Sequence, residues 1–262
     1  MKYNFIVIIF ILLNSSTVFA KVKQNQFEKI RDVFITTYTQ EFQSKGGTLD
    51  ITSNHSSSSP QILSRKTVEG KWQIEIYQSM LDLELQTIPT LTMMLCHEIG
   101  HFLGEGPYVI GRPLSAAVRQ RAPKKMSNEG QADFYSTSQC FRNLQKIIPE
   151  LNLTPSLNLV LTEQCYNSYK IKDDIDSCLS GLQTARDLAL VYQEAMNKIG
   201  IPTSFQETFS NEITERTLNF VDEYPTLECR YQTLVHGILC ADVSNGECVD
   251  SKWSRPQCWF KD

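Results

Sequence analysis

Apolar residues recur at three-to-four-residue intervals through Phe27, Ile30, Phe34, Tyr38 and Phe42, which predicts an amphipathic first helix ended by Gly46-Gly47. The serine-rich stretch from Ser53 to Pro60 reads as a loop with His55 exposed on it. After Gly70 the period changes to two. Trp72, Ile74 and Ile76 alternate with Gln73, Glu75 and Tyr77, the pattern of a half-buried strand, and with Gln61 to Val68 they predict a hairpin or small sheet. The helical period then returns: Pro89 suits a first turn, Leu91, Met94, Leu95, Ile99 and Phe102 follow, and Gly104, Gly106 and Pro107 stop a helix expected over about 87–103. Two more helices are expected, over about 127–146, ending before Pro149, and over 182–198, stopped by Gly200 and Pro202. Residues 149–181 carry no clear period. The fold class is α+β: a mostly helical domain with a small β-sheet or hairpin ahead of its most apolar helix.

The N-terminus changes how the rest is read. Met1-Lys2, an apolar run from Phe5 to Leu13 and the ending Thr17-Val18-Phe19-Ala20 together describe a signal peptide over 1–20, cleaved after Ala20; the alternative is an uncleaved anchor. No later apolar run is long enough to cross a bilayer, so no integral membrane span is expected after cleavage. The expected location is secreted or periplasmic, where eight cysteines form up to four disulfides. They lack the C-x-x-C spacing of a structural zinc site. Four of them, Cys229, Cys240, Cys248 and Cys258, mark a stapled C-terminal tail over 236–262, packed on a main domain over 21–235. Nothing in Lys21 to Lys45 demands an inhibitory propeptide. With a formal charge of −4 and basic residues gathered only at Arg112, Arg119, Arg121, Lys124 and Lys125, the chain is not a nucleic-acid binder.

Candidate chemistry lies on the helix over 87–103, at His97-Glu98-Ile99-Gly100-His101. The 3.6-residue period puts His97 and His101 on one face, where both ring nitrogens can converge on a tetrahedral Zn2+. Glu98 sits beside the remaining position, where a carboxylate can take the proton of a metal-activated water. With four histidines in 262 residues, a shuffled chain would show this pattern with a probability of roughly 0.004, so chance explains it poorly.

A catalytic zinc takes three protein ligands. Pro107 occupies the last position of the metzincin pattern and cannot bind a metal, which excludes that subclass. Neither His55 nor His236 has a ligand-like setting. Glu129, in Asn128-Glu129-Gly130-Gln131-Ala132-Asp133 at the start of the next helix, is the candidate third ligand. Asp133, four residues on and on the same face, is expected to accept a hydrogen bond from a ligand imidazole, His97, fixing its tautomer. The other reading of this pair is an acidic helix start favoured by the macrodipole.

His97 to His101, followed after 27 intervening residues by Glu129-Gly130-Gln131-Ala132-Asp133, resembles the gluzincin metallopeptidases. The Ala-Asp ending is similar to the HtpX-type family, which includes the CAAX prenyl proteases and soluble periplasmic quality-control peptidases. Tyr224-Pro225-Thr226-Leu227-Glu228-Cys229-Arg230 resembles that family's His-Pro-x-x-x-x-Arg segment, with Tyr224 in place of the His. The resemblance covers these three motifs and implies a zincin-like fold. It also implies that Tyr224 stabilises the oxyanion and that Arg230 orients site carboxylates or the oxyanion; a plain salt bridge is the other reading of Arg230.

The function expected is that of an exported zinc-dependent endopeptidase acting on polypeptide substrates, with Glu98 as general base. The exposed edge of the strand over Trp72 to Tyr77 would hold the substrate, unless that strand is purely structural. The alternative is a zinc-bearing exported binding or assembly factor, chaperone-like and without significant proteolysis.

Overall fold

The computed structural model describes residues 21–67, 69–106, 108, 126–153, 159–207, 225–256 and 258. The signal-peptide reading over 1–20, the basic residues from Arg112 to Lys125 and Tyr224 lie outside them.

Helix α1 (Gln24–Ser44) buries Phe27, Ile30, Phe34, Tyr38 and Phe42, the five residues whose spacing predicts it. They pack in the main core, so α1 is an integral layer of the fold. Gly46, at φ 79°, turns the chain into β1 (Thr48–Asn54). Strands β2 (Ile62–Lys66) and β3 (Lys71–Tyr77) complete a sheet of order β1-β3-β2. β1 runs parallel to β3 with Thr48 opposite Lys71, and β2 runs antiparallel to it with Ile62 opposite Ile76. Leu49 and Ile51 of β1 and Trp72, Ile74 and Ile76 of β3 point into the core.

Two expectations are corrected by this sheet. Thr48–Asn54 forms a strand that overlaps the start of the expected loop; with only Leu49 and Ile51 buried, its alternation is too short to stand out. The strand over Trp72 to Tyr77 is central, hydrogen-bonded on both sides, so it has no free edge to hold a substrate. The edge strands are β1 and β2, and β2 approaches the helix that carries the histidines.

After a short α2 (Gln78–Leu81), helix α3 (Ile88–Leu103) begins at Thr87, whose hydroxyl accepts from the Thr90 N–H while the Thr90 side chain bonds back to the Thr87 N–H. Every residue of α3 from Pro89 to Leu103 is buried. Phe102 meets Trp72 of β3 at a ring distance of 5.1 Å and Phe42 of α1 at 5.9 Å, which joins helix, sheet and α1 in one aromatic contact.

Helix α4 (Glu129–Tyr135) continues through a π-helical stretch (Ser136–Phe141) into α5 (Arg142–Gln145). Helices α6 (Leu159–Ser168), α7 (Lys172–Lys198) and α8 (Leu227–Leu239) complete the helical part. α7 begins ten residues before its expected start, because its first turns, with Asp173 and Asp176, are solvated and show no apolar period. α8 is buried almost all round from Leu227 to Leu239, so it too has no apolar stripe. It carries the chain past residue 235, so the expected tail boundary falls inside a helix.

All eight cysteines are paired: Cys96–Cys140, Cys165–Cys178, Cys229–Cys258 and Cys240–Cys248. The last two staple the C-terminal segment, whose hairpin β4 (Val243–Ser244) and β5 (Glu247–Cys248) turns through Asn245 and Gly246, both at positive φ. Among the described residues no helix is long and apolar enough to cross a membrane.

Candidate metal centre

Three helices meet where two glycines allow close approach. A Cβ at Gly100 of α3 would lie 2.7 Å from the Ala132 carbonyl oxygen of α4, and one at Gly237 of α8 would lie 2.8 Å from the Phe134 carbonyl oxygen. Neither distance is tolerable for a larger residue. With α3 and α8 both against α4, His97 and His101 face Glu129 and Asp133, and Arg230 reaches the same point from α8.

His97, Glu98 and His101 are buried, and each offers a ligand atom within 4.8 Å of the others, so this cluster can hold a metal ion. The Glu129 carboxylate lies against both imidazoles, with Oε2 3.2 Å from His97 Nε2 and Oε1 3.6 Å from His101 Nε2. Its side chain is the most open of the group, at 27% exposure. Asn128 caps α4 by accepting from the Gln131 N–H, and Glu129 in the first turn sits at the favourable end of the helix dipole.

The outer ring nitrogens are both committed. His97 Nδ1 donates to Asp133 Oδ1 at 2.7 Å, as the sequence reading expects. His101 Nδ1 donates to the Ser127 carbonyl oxygen at 2.8 Å, and the Ser127 N–H returns a bond to the His101 carbonyl at 2.9 Å. A carbonyl only accepts, so His101 carries its proton on Nδ1 and presents the Nε2 lone pair inward. The same tautomer is set in neutral His97 by Asp133.

Arg230 closes the arrangement from behind. Its Nε donates to Asp133 Oδ2 at 2.9 Å and its Nη2 to Oδ1 at 2.7 Å, a bidentate pair. Nη2 is also 3.9 Å from Glu129 Oε2. The geometry is that of a buried ion pair with Asp133, next to the Glu129 carboxylate. The guanidinium lies over the Tyr192 ring at 4.3 Å, a helix-α7 residue that no motif marks in the sequence.

Formally, three carboxylates (Glu98, Glu129 and Asp133) against one guanidinium leave two negative charges around the imidazoles, which suits a divalent cation. Burial works against charge on His97, but Asp133 and the bond to Glu129 outweigh it and raise the imidazole to about 10. Burial would lift the Asp133 carboxyl, yet Arg230 and His97 hold it below the usual range; withdrawal from water opposes His101, His97 and Arg230 in the same way at Glu129, which they hold far down.

The C-terminal segment braces this centre. Gln131 Nε2 donates to the Gly104 carbonyl just after α3 and, at 3.2 Å, to the Gly246 carbonyl of the hairpin turn. Arg255 Nη1 donates to Gln131 Oε1 and, at 3.0 Å, to the Gly106 carbonyl, while Nη2 holds Glu247 at 2.7 Å. Sequence reasoning does not reach Ser127, Tyr192, Gln131 or Arg255. A backbone carbonyl leaves no mark in a sequence, and the others act across long separations. Tyr224 lies outside the described residues. Compared with known protein families, with characterised proteins and with solved structures, the chain matches none.

Proposed function

We propose that this chain is an exported zinc-dependent endopeptidase of gluzincin type, with His97, His101 and Glu129 as metal ligands and Glu98 as general base. The observation that carries the reading is the convergence of both inward-facing Nε2 atoms on the Glu129 carboxylate, at 3.2 and 3.6 Å, with Glu98 beside them on the same helix. Two imidazoles and one carboxylate are a donor set suited to zinc with a position left open. Zinc, when bound, supplies a Lewis acid and lowers the pKa of a water from 15.7 towards about 7.

The chain's own residues then have separable tasks. Glu98 takes the proton of the attacking water as its oxygen bonds to the peptide carbonyl carbon, and delivers that proton to the amine nitrogen as the C–N bond breaks. Asp133, held by Arg230, keeps His97 in the tautomer that presents Nε2. The Ser127 carbonyl does the same for His101. An extended polypeptide adds to the edge of β2, which among the described residues pairs with β3 alone in its sheet and lies beside α3. The motif resemblance to HtpX-type gluzincins supports the assignment, and four disulfides support export to an oxidising compartment.

The test pairs metal analysis with hydrolysis of an unfolded polypeptide. Purified protein should carry one zinc per chain, and Glu98→Gln should keep the zinc and the fold while losing about 10³-fold or more in kcat. Protein without stoichiometric zinc, or a Glu98→Gln variant as active as wild type, would overturn the reading; zinc retained with no cleavage by either protein would favour a binding factor.

A further inference from the structure

His101 lies in the last turn of α3 and Glu129 opens α4, so their spacing depends on how the end of one helix meets the start of the other. The chain between them runs through residues 104–128, a length that by itself leaves many separations open. Side-chain bonds close the gap. Gln131, fully buried two residues after Glu129, donates from Nε2 to the Gly104 carbonyl, which ends α3, and at 3.2 Å to the Gly246 carbonyl of the C-terminal hairpin. Its Oε1 accepts from Arg255 Nη1. A guanidinium only donates, so Arg255 fixes which way the amide points: with Oε1 turned to Arg255, Nε2 faces the two carbonyls. Arg255 Nη1 also donates to the Gly106 carbonyl at 3.0 Å, so one side chain grips the residues after α3 and the first turn of α4 together.

The segment that carries these groups is itself fastened to α8. His236 Nδ1 donates to the Ser254 carbonyl at 2.6 Å, its ring meets that of Trp253 at 5.6 Å, and Cys240–Cys248 closes the hairpin. The fit is close: a Cβ at Gly246 would lie 3.1 Å from Glu105 Oε2 and 3.2 Å from Gln131 Nε2. Helix α8 therefore reaches α4 twice, through Arg230 on Asp133 and through residues 253–255 on Gln131.

We propose that Gln131 and Arg255 are positioning residues of the metal centre: the C-terminal segment, acting through their contact, holds Glu129 at the distance from His101 at which three ligands share one ion. This rests on His97, His101 and Glu129 being the metal ligands, and not on peptide hydrolysis. Asp133 and the Ser127 carbonyl orient the two imidazoles. Glu129 is the most open of the three, at 27% exposure, and the clamp acts on the turn that carries it. A ligand set works only when held to within about 0.5 Å of its productive geometry, so a looser start to α4 shows first as weaker metal binding.

The experiment is a double-mutant cycle on the full chain: wild type, Arg255→Met, Glu129→Ala and the two combined, with Ile51→Val as a destabilised control far from the centre. Zinc affinity is measured against a competing chelator, melting temperature without metal, and the visible absorption of the cobalt(II)-substituted protein as a report on coordination geometry. Arg255→Met should bind zinc about 10-fold more weakly and alter the cobalt spectrum. In the Glu129→Ala background the same change should cost no more than about twofold, because the residue it positions is gone. Ile51→Val should lower the melting temperature and leave zinc affinity as it was. Should Arg255→Met fail to fold, Gln131→Met removes the same contact from its other side and is judged by the same criteria. The proposal is overturned, with the ligand assignment intact, if Arg255→Met holds zinc as tightly as wild type, if it costs the same factor with and without Glu129, or if Ile51→Val weakens zinc as much. Wild type that takes up no zinc, or Glu129→Ala that binds it as tightly as wild type, sinks the ligand assignment and the positioning role with it.

Discussion

The layer formed by α1 and the sheet and the cluster formed by α3, α4 and α8 bury comparable stretches of chain by opposite means. The first is held by Phe27, Phe34, Phe42, Ile51, Ile74 and Ile76, contains no cysteine and, among the described residues, buries no ion pair between its elements. Each such side chain contributes roughly 1.5–3 kcal/mol by leaving water, and no particular partner is required. The second buries His97, Glu98, Asp133 and Arg230, where desolvation works against folding and stability depends on every charge meeting its counterpart. Two of the four bridges start inside it, next to candidate site residues: Cys96 precedes His97 and Cys229 precedes Arg230. A layer that profits from burial needs no covalent help; a centre that concentrates charge is cross-linked beside the residues that carry it.

Removing one partner from each half tests this contrast most severely. Arg230→Met leaves Asp133 buried without its cation and should cost about 3–5 kcal/mol at pH 7, together with the metal. Phe34→Ala should also cost about 3–5 kcal/mol, by cavity formation. The two differ in pH response: urea unfolding at pH 7 and pH 3 should show the Arg230 loss shrinking in acid, where Asp133 can be neutralised, and the Phe34 loss unchanged. Equal pH behaviour would erase the distinction.

Disulfide removal comes next. Replacing Cys96 and Cys140 together by Ala should lower stability by about 2–4 kcal/mol and weaken zinc binding; replacing Cys165 and Cys178 should cost stability alone, because that bridge joins α6 to α7 away from the histidines. Zinc titration with a competing chelator separates the two, and equal zinc affinities would show that the bridges do not act on the centre.

A pH profile of the metal-free protein comes last. His97, raised from 6.5 to about 10, contributes stability that is full below pH 6.5 and lost as pH rises through about 10. Asp133 and Glu129, lowered from 3.8 and 4.5, contribute stability that is present above those values and lost on acidification. Melting temperature should therefore be highest between about pH 4.5 and 6.5 without metal. With zinc bound the imidazole is already deprotonated, so the gap between loaded and metal-free protein should widen from pH 6.5 to 10. Parallel curves would contradict this. In the α1 layer, burial raises the Tyr38 phenol, which is bonded to Tyr135, above this range.

What could be read from the sequence follows the same division. α1, β3 and α3 announce themselves because each has a run of apolar positions at the right period. α8 does not: Arg230, Gln232, Thr233 and His236 are buried with its leucines, so polar and apolar positions no longer mark two faces. β1 is too short in apolar residues, and the first turns of α7 are too wet. At the centre, His97, Glu98, His101, Glu129 and Asp133 are legible because helix geometry converts their spacing into proximity. Ser127 is not, since its place depends on how α3 and α4 pack around Gly100, and Tyr192 is not, since it arrives from α7.

The bracing of Gln131 by Gly246 and Arg255 has a consequence for biosynthesis. A nascent chain that has reached Asp133 holds His97, Glu98, His101, Glu129 and Asp133, yet the clamp on the α4 start arrives only with Arg255, and the bridge beside Arg230 only with Cys258. Maturation of the centre therefore waits for residues far beyond its motifs along the chain, and for an oxidant as well as for the ribosome.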